Sequence, residues 1–185
     1  MSTAQLNITR NKVLKTNMAL EQALSIEYSE ALFKDKDKAR SLYQKFMYCL
    51  AKNKRLLENE VESINTARKP SQQYQKFVSE RSELAMKYTN VDKEGNPLVL
   101  GRNLVIQKRR DEFEEELEKL KNTYREAISE REEQENGWED FGNSEVEITI
   151  YKIKFDYIPV TLTGILFEAL MPLLQEDDDE IENKM

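Results

Sequence analysis

The chain has 185 residues, with 28 Lys or Arg, 35 Asp or Glu, one Cys and no His. The lack of histidine excludes catalytic relays of the Ser-His-Asp or Cys-His type and histidine-ligated metals, and one cysteine supports neither a zinc cage nor an internal disulfide. The composition therefore predicts a protein that is not an enzyme and that binds no cofactor and no metal.

The net charge of −7 is concentrated near the end of the chain, where residues 176–182 carry six carboxylates. The other residues are nearly neutral together, which argues against binding to nucleic acid phosphates. We expect residues 176–185 to form a disordered, solvated tail rather than a cation site. No apolar run is typical of a signal peptide or a transmembrane helix, so we expect no membrane association.

The N-terminal third of the chain predicts one strand and two long helices. Residues 5–9 alternate apolar and polar side chains, as an edge strand does. Neither Gly nor Pro occurs before residue 70, so helices can run uninterrupted over residues 11–33 and 37–68. Pro70 ends the second of these helices because it excludes the preceding residue from the α region.

The middle of the chain predicts an antiparallel pair of helices joined by a β-hairpin. Ser71 is a natural N-cap for a helix over residues 71–89. Residues 92–97 are a dense turn signal before a hairpin over residues 98–106. Apolar residues then follow a heptad-like, coiled-coil stripe over residues 108–134. We expect Leu117 and Leu120 to lie in a buried seam, so that an Asp at either position unfolds the pair.

The C-terminal part predicts a loop over residues 136–143, a strand over residues 145–155 with a bulge near Ile150, and a helix over residues 163–171. The strand is expected to pair antiparallel with residues 5–9. The predicted fold class is mainly α with minor β: long antiparallel helices or a helical bundle, a β-hairpin tip and a small two-stranded sheet joining the terminal segments. Residues 1–175 are predicted to be one elongated helical domain.

Two aromatic side chains stand outside every amphipathic stripe. Trp138 and Phe141 lie between glycines in the predicted loop, and exposed aromatics of this kind mark partner-binding sites. The alternative is that both rings fold back to cover the end of the helices. We therefore treat Trp138 and Phe141 as candidate partner-binding residues with this alternative open.

Several cationic side chains lie near the predicted hairpin and are candidates for contacts to an anionic ligand. The alternative is a solvated helix face of mixed charge, because acidic residues follow the longest basic run at once. Residues 92–97 match no phosphate-binding or calcium-binding pattern. The candidate cations are Arg81, Lys87, Arg102, Lys108 and Arg109.

An ordered set of short segments extends over about residues 40 to 174. It comprises Phe46-Met47-Tyr48, Lys52-Asn53-Lys54, Glu58, Lys69-Pro70, Glu80-Arg81, Leu84, Lys87-Tyr88, the turn at 92–97, Glu145-Val146-Glu147-Ile148, Ile158-Pro159 and Leu170-Met171-Pro172-Leu173-Leu174. The set resembles a group of small, mostly uncharacterised proteins encoded by tailed bacteriophages and prophages. The resemblance implies a viral origin and a fold, but assigns no role to any residue.

These observations favour a noncatalytic, phage-encoded interaction protein that acts as a scaffold, a virion-associated part or an inhibitor of a host protein, such as a host defence protein. The alternative is a small-molecule binding module that sequesters a host defence signal nucleotide. We expect a location in the cytoplasm of the infected bacterial host or in the virion. The expected partner is a host or phage protein, and a homodimer through the helical face competes with a monomeric bundle.

Overall fold

The computed structural model describes residues 3–175 of the chain, which are mainly α-helical with minor β structure, as predicted. The helices are α1 (Arg10–Leu24), α2 (Ala39–Arg68), α3 (Gln72–Tyr88), α4 (Arg110–Thr123), α5 (Arg125–Asn136), α6 (Trp138–Asn143) and α7 (Gly164–Leu170). The strands are β1 (Thr3–Thr9), β2 (Val99–Leu100), β3 (Asn103–Leu104) and β4 (Glu145–Tyr151). The predicted tail, residues 176–185, lies outside the described residues.

The described chain divides into two compact units. Residues 3–67 and 139–175 belong to unit 1, and residues 68–138 form unit 2. Unit 1 contains one two-stranded sheet and the buried core, whereas unit 2 contains the helix pair and the hairpin. The prediction that residues 1–175 fold as one domain stays a prediction.

The sheet of unit 1 joins the two strands predicted to pair. β1 and β4 are antiparallel in one continuous register, from Thr3 opposite Tyr151 to Thr9 opposite Glu145. The predicted bulge near Ile150 is wrong, because Ile150 lies opposite Ala4 within that register.

The strand also ends earlier than predicted, at Tyr151 instead of residue 155. The amide N–H of Tyr151 donates to Asn53 Oδ1 at 2.7 Å, and Asn53 Nδ2 donates to the carbonyl of Tyr151 at 2.7 Å. The fully buried Asn53 side chain therefore satisfies backbone groups that would otherwise continue the sheet. A short 3₁₀ helix, Phe155–Tyr157, follows.

The core of unit 1 lies between the sheet and helices α1, α2 and α7. Burying each large aliphatic or aromatic side chain stabilises the fold by roughly 1.5–3 kcal/mol. The hydroxyl of Thr16, which is also buried, donates to the carbonyl of Ala169 at 3.1 Å and so joins α1 to α7. The largest fully buried side chains include Val13, Leu20, Phe46, Leu50, Leu57, Ile64, Ile150, Ile153, Leu170 and Leu173.

The first helix is shorter than the predicted 11–33, because α1 ends at Leu24. The Ser25 hydroxyl and its backbone N–H both bond the carbonyl of Gln22, which closes the last turn. Tyr43 Oη then donates to the carbonyl of Ile26 and holds the following segment outside the helix. The other predicted helices before residue 90 are confirmed to within two residues at each end.

Unit 2 is built on the predicted antiparallel helix pair. The ring centroids of Tyr88 and Phe113 are 6.0 Å apart near the hairpin, and those of Phe77 and Tyr124 are 5.9 Å apart further along. The predicted continuous helix over 108–134 is wrong, because it is divided into α4 and α5 at Tyr124. The backbone of Tyr124 leaves helical geometry (φ −109°, ψ 21°) where its ring contacts Phe77 and its hydroxyl bonds Glu80.

The hairpin of unit 2 lies within the predicted range, although only four residues pair as strands. Val99 pairs with Leu104 and Leu100 with Asn103, across a turn in which Gly101 has a φ of 65°. The preceding turn is closed by Asp92, whose side chain accepts bonds from backbone N–H groups. Positive φ at Gly101 is a conformation that L-residues with a Cβ rarely adopt.

Candidate interaction surfaces

Trp138 lies in α6 rather than in the predicted loop, and its side chain is half-buried. The Arg68 guanidinium lies 4.3 Å from the centroid of the Trp138 ring, both within unit 2. A cation over an aromatic face stabilises the folded chain locally. This packing favours the alternative in which the ring covers part of the protein.

Phe141 is also half-buried in α6, within unit 1. The guanidinium of Arg10 lies 4.8 Å from its ring centroid and also bonds the hydroxyl of Ser144. Gly142 lies so close to Asn11 that a Cβ would be 2.6 Å from side-chain atoms of Asn11. The predicted loop at 136–143 is therefore wrong, since six of its eight residues form α6 and Gly142 of that helix packs closely on Asn11 within unit 1.

Two of the five candidate cations are brought together and neutralised. Lys87 Nζ lies 2.9 Å from Glu116 Oε2, and Arg109 forms an ion pair with Glu112. Both cations lie over the ring of Tyr88, at 5.0 Å and 4.4 Å from its centroid. The hydrogen bond to Glu116 raises the pKa of Lys87, and the bond to Glu112 raises the pKa of Arg109.

The other three candidate cations do not join this cluster. Arg81 lies on α3, Arg102 in the turn between β2 and β3, and Lys108 before α4, and all three are exposed. Among residues 3–175, no ion pair or ring contact links any of them to Tyr88, and none has a carboxylate within 4.0 Å. The five cations therefore do not form one anion site.

An open groove of about 460 Å³ lies between α3 and α4. Leu84 and Leu120 are half-buried on its walls. With three glutamates and two lysines, the groove has no excess of positive charge for an anion. Its lining residues are Glu80, Glu83, Leu84, Lys87, Glu116, Lys119, Leu120 and Thr123.

The hairpin carries exposed apolar side chains that the sequence interpretation did not select. Val99 is 56% exposed and Leu100 78%, beside exposed Val91 and Leu98. A signal for this surface was present in the run Leu98-Val99-Leu100. Successive side chains of a strand point to opposite faces, so three apolar residues in a row cannot all be covered on one face.

The exposed hairpin is held by a dense set of backbone bonds. Asn90 donates to Val105, Leu98 to Asn90, and Val105 to Leu98, at 2.7–2.9 Å. Backbone N–H groups of Asn96 and Glu94 bond the carboxylate of Asp92 and lower its pKa. The apolar residues are therefore presented on a defined backbone.

Other chemistry is sparse among the described residues. No group of three His, Cys, Asp or Glu side chains within residues 3–175 could hold a metal ion. Cys49 is buried, and burial raises the pKa of its thiol. None of the helices in the described part of the chain has the length and apolar character needed to cross a membrane.

No protein-family model, curated protein or solved structure matches this chain.

Proposed function

We propose that this chain is a noncatalytic interaction protein whose hairpin binds a protein partner with a complementary apolar surface. The observation that carries the proposal is the exposure of Val91 and of Leu98-Val99-Leu100 on a hydrogen-bonded hairpin. Contiguous apolar side chains that are exposed to solvent are typical of protein-binding surfaces. Their fixed backbone reduces the conformational entropy that a partner must remove on binding.

The charge pairing in unit 2 supports a protein partner over the small-molecule alternative, a module that sequesters a host defence signal nucleotide. Lys87 and Arg109, two of the five cations that such a ligand would use, already form ion pairs with Glu116 and Glu112. An anionic ligand would have to displace these carboxylates. The nucleotide alternative therefore has no observation in its favour beyond the presence of cations.

The proposal also includes the origin of the chain and the place where it meets its partner. The resemblance of residues 40–174 to phage proteins supports a phage-encoded scaffold, virion-associated part or inhibitor of a host protein, including a host defence protein. The setting would be the cytoplasm of an infected bacterial host or the virion. Half-buried Leu84, Leu117 and Leu120 support a homodimer through the helical face.

The experiment compares two double variants of the full chain as baits in bacterial lysate. Val99→Lys/Leu100→Lys places two charges on the hairpin, and Val160→Lys/Ile165→Lys places two charges on exposed apolar residues of unit 1. We expect the wild type and the unit 1 variant to retain a common protein that the hairpin variant loses. The purified partner should then bind the hairpin variant at least about tenfold more weakly, which is about 1.4 kcal/mol.

A partner retained equally by all three baits would refute the hairpin as the binding surface. Circular dichroism of each variant establishes that the helices are intact. Light scattering on the purified chain gives the mass of the binding species, either 21.8 kDa for a monomer or twice that mass for the homodimer.

A further inference from the structure

A second surface, on unit 1, combines three tyrosines with two lysines, and we call it the tyrosine–lysine patch (Lys45, Tyr48, Lys52, Tyr151 and Tyr157). The rings of Tyr48 and Tyr151 meet edge to face, with centroids 5.9 Å apart. Lys52 Nζ lies 5.5 Å from the centroid of Tyr48, and Lys45 Nζ lies 5.5 Å from that of Tyr157. The two ammonium groups thus lie against different rings of one patch.

The lysines of the patch differ from most cations that contact other side chains in this protein. Neither Lys45 nor Lys52 has a carboxylate within 4.0 Å among residues 3–175, whereas neighbouring Lys54 forms an ion pair with Glu21 at 3.2 Å. Both patch lysines are exposed. Their charge is therefore available to a ligand in water.

The tyrosine hydroxyls of the patch are also available as donors. Among the described residues, none of the hydroxyls of Tyr48, Tyr151 and Tyr157 has a hydrogen-bond partner, whereas those of Tyr88 and Tyr124 bond glutamates. Burial, followed by the nearby Tyr48, Cys49 and Tyr157, raises the pKa of Tyr151. Tyr151 therefore keeps its proton, and the patch presents hydroxyl donors together with two ammonium groups that form no ion pair within residues 3–175.

The patch is fixed by the fold of unit 1. Lys45, Tyr48 and Lys52 are three and four residues apart on α2, which places them on one face of that helix. Tyr151 is held at the end of β4 by its two backbone bonds to the buried Asn53. The rings are therefore positioned before any ligand arrives.

We propose that the tyrosine–lysine patch binds an acidic peptide segment of a partner protein. Lys45 and Lys52 are seven positions apart on α2, a rise of about 10 Å along the helix. One carboxylate or one phosphate group is too small to bridge that distance. An extended peptide advances about 3.3 Å per residue and turns every second side chain to the same face, so carboxylates two or four residues apart, at about 7 or 13 Å, suit two lysines at this separation.

The observations favour a peptide over a nucleic acid. Binding to a phosphate backbone depends on many cations, whereas this patch has two and the chain carries a net charge of −7. Tyrosine, with an apolar ring and a polar hydroxyl, is common at protein interfaces. The patch lies in unit 1 and is independent of the hairpin, so failure of either binding experiment leaves the other proposal standing.

The probe is a fluorescein-labelled synthetic peptide with the sequence of residues 175–182, which supplies six carboxylates. Its control is the same peptide with Gln and Asn replacing Glu and Asp. Fluorescence polarisation against the full chain should show saturable binding of the acidic peptide only. We expect Lys45→Gln/Lys52→Gln to weaken binding about tenfold, which corresponds to about 1.4 kcal/mol.

The matched control is Lys12→Gln/Lys15→Gln, which removes the same charge from exposed positions of α1. We expect it to weaken binding less than about twofold, and Tyr48→Phe to weaken it about threefold through loss of one hydroxyl donor. Equal loss in the two double variants, or no saturable binding, would overturn the proposal. A single-stranded oligonucleotide that binds more tightly than the peptide and depends on Lys45 and Lys52 would also overturn it.

Discussion

Unit 1 and unit 2 bury their apolar side chains to very different extents. The buried core cluster lies entirely in unit 1, where Leu20, Leu50 and Leu57 have no exposed surface. In unit 2, α4 contributes no buried residue, and its Leu117 and Leu120 are half-buried instead of lying in the buried seam expected from sequence. A two-helix layer covers each helix on one side only, which explains the difference.

The two units are consequently stabilised by different interactions. The folded state of unit 1 is stabilised mainly by the removal of apolar surface from water, which is the dominant favourable contribution to protein folding. Unit 2 depends on aromatic contacts such as Tyr88 with Phe113, and on exposed bonds such as Lys87 with Glu116. Regions with few buried apolar contacts open more easily, so we expect unit 2 to exchange its amide protons sooner.

The largest effect should come from truncating one leucine in each unit. Leu50→Ala leaves a cavity in the core of unit 1 and should lower the free energy of unfolding by about 3 kcal/mol. Leu120→Ala in half-buried α4 should lower it by only about 1 kcal/mol, since part of that side chain already contacts water. Urea unfolding followed by circular dichroism measures both values.

Hydrogen exchange with mass spectrometry then shows which unit opens in each variant. We expect Leu50→Ala to increase exchange in α1 and α2, and Leu120→Ala to increase it in α3 and α4. Equal losses of stability for the two variants would contradict the contrast between the units. A single unfolding transition in the wild type would support the prediction of one domain.

The buried side chain of Asn53 provides a polar interaction whose removal should also destabilise unit 1. Asn53→Leu leaves the backbone N–H and carbonyl of Tyr151 without the partners that the buried amide provides. An unsatisfied buried polar group costs about 1–3 kcal/mol, so we expect a loss of about 2 kcal/mol. Urea unfolding gives the loss, and exchange of the Tyr151 amide locates it.

The matched control for this substitution is Asn65→Leu, at an exposed position on the same helix. It makes the same chemical change without removing a partner from β4. The control should leave the free energy of unfolding within about 0.5 kcal/mol of the wild type. A similar loss in both variants would show that helix propensity, rather than the bond to Tyr151, explains the effect.

The features predicted correctly are those that depend on patterns each contained within one short segment of the chain. Alternation and strand polarity led to the pairing of residues 5–9 with β4, and the heptad-like stripe led to the helix pair. Asn53 was not selected, because its partner Tyr151 is 98 residues away and no local pattern connects them. The break at Tyr124 was missed for the same reason, since its ring and hydroxyl contact a different helix.

The candidate site was predicted less well than the fold. Periodicity identifies which apolar side chains share one face of an element. Whether another element covers that face depends on packing, and Leu100 is an apolar residue that remains exposed. Charge likewise identifies Lys87 as a cation but not its pairing with Glu116 across two helices. The tyrosine–lysine patch was not selected either, because Lys45 contacts the ring of Tyr157 from a distant part of the sequence and no local pattern connects the two.

The smallest effect should come from protonating Glu116, which holds α4 to α3 in unit 2. Its carboxylate accepts bonds from Lys87 at 2.9 Å and from Tyr88 at 2.8 Å, and the bond from Lys87 is the main cause of its lowered pKa. Because the pKa is below its ordinary value of 4.5 in the folded chain, this contribution is complete above that value and disappears as the pH falls through the lowered pKa.

Glu116→Gln removes the charge and keeps the shape of the side chain, so the variant isolates this contribution. We expect the variant to melt slightly below the wild type at neutral pH and to match it in acid, since both side chains are then neutral. High salt should reduce the difference, because both members of the pair are exposed to water. Glu118→Gln, which removes an exposed carboxylate without a bond to α3, is the control. A difference in melting that persists in acid would show that Glu116 acts through packing rather than through its charge.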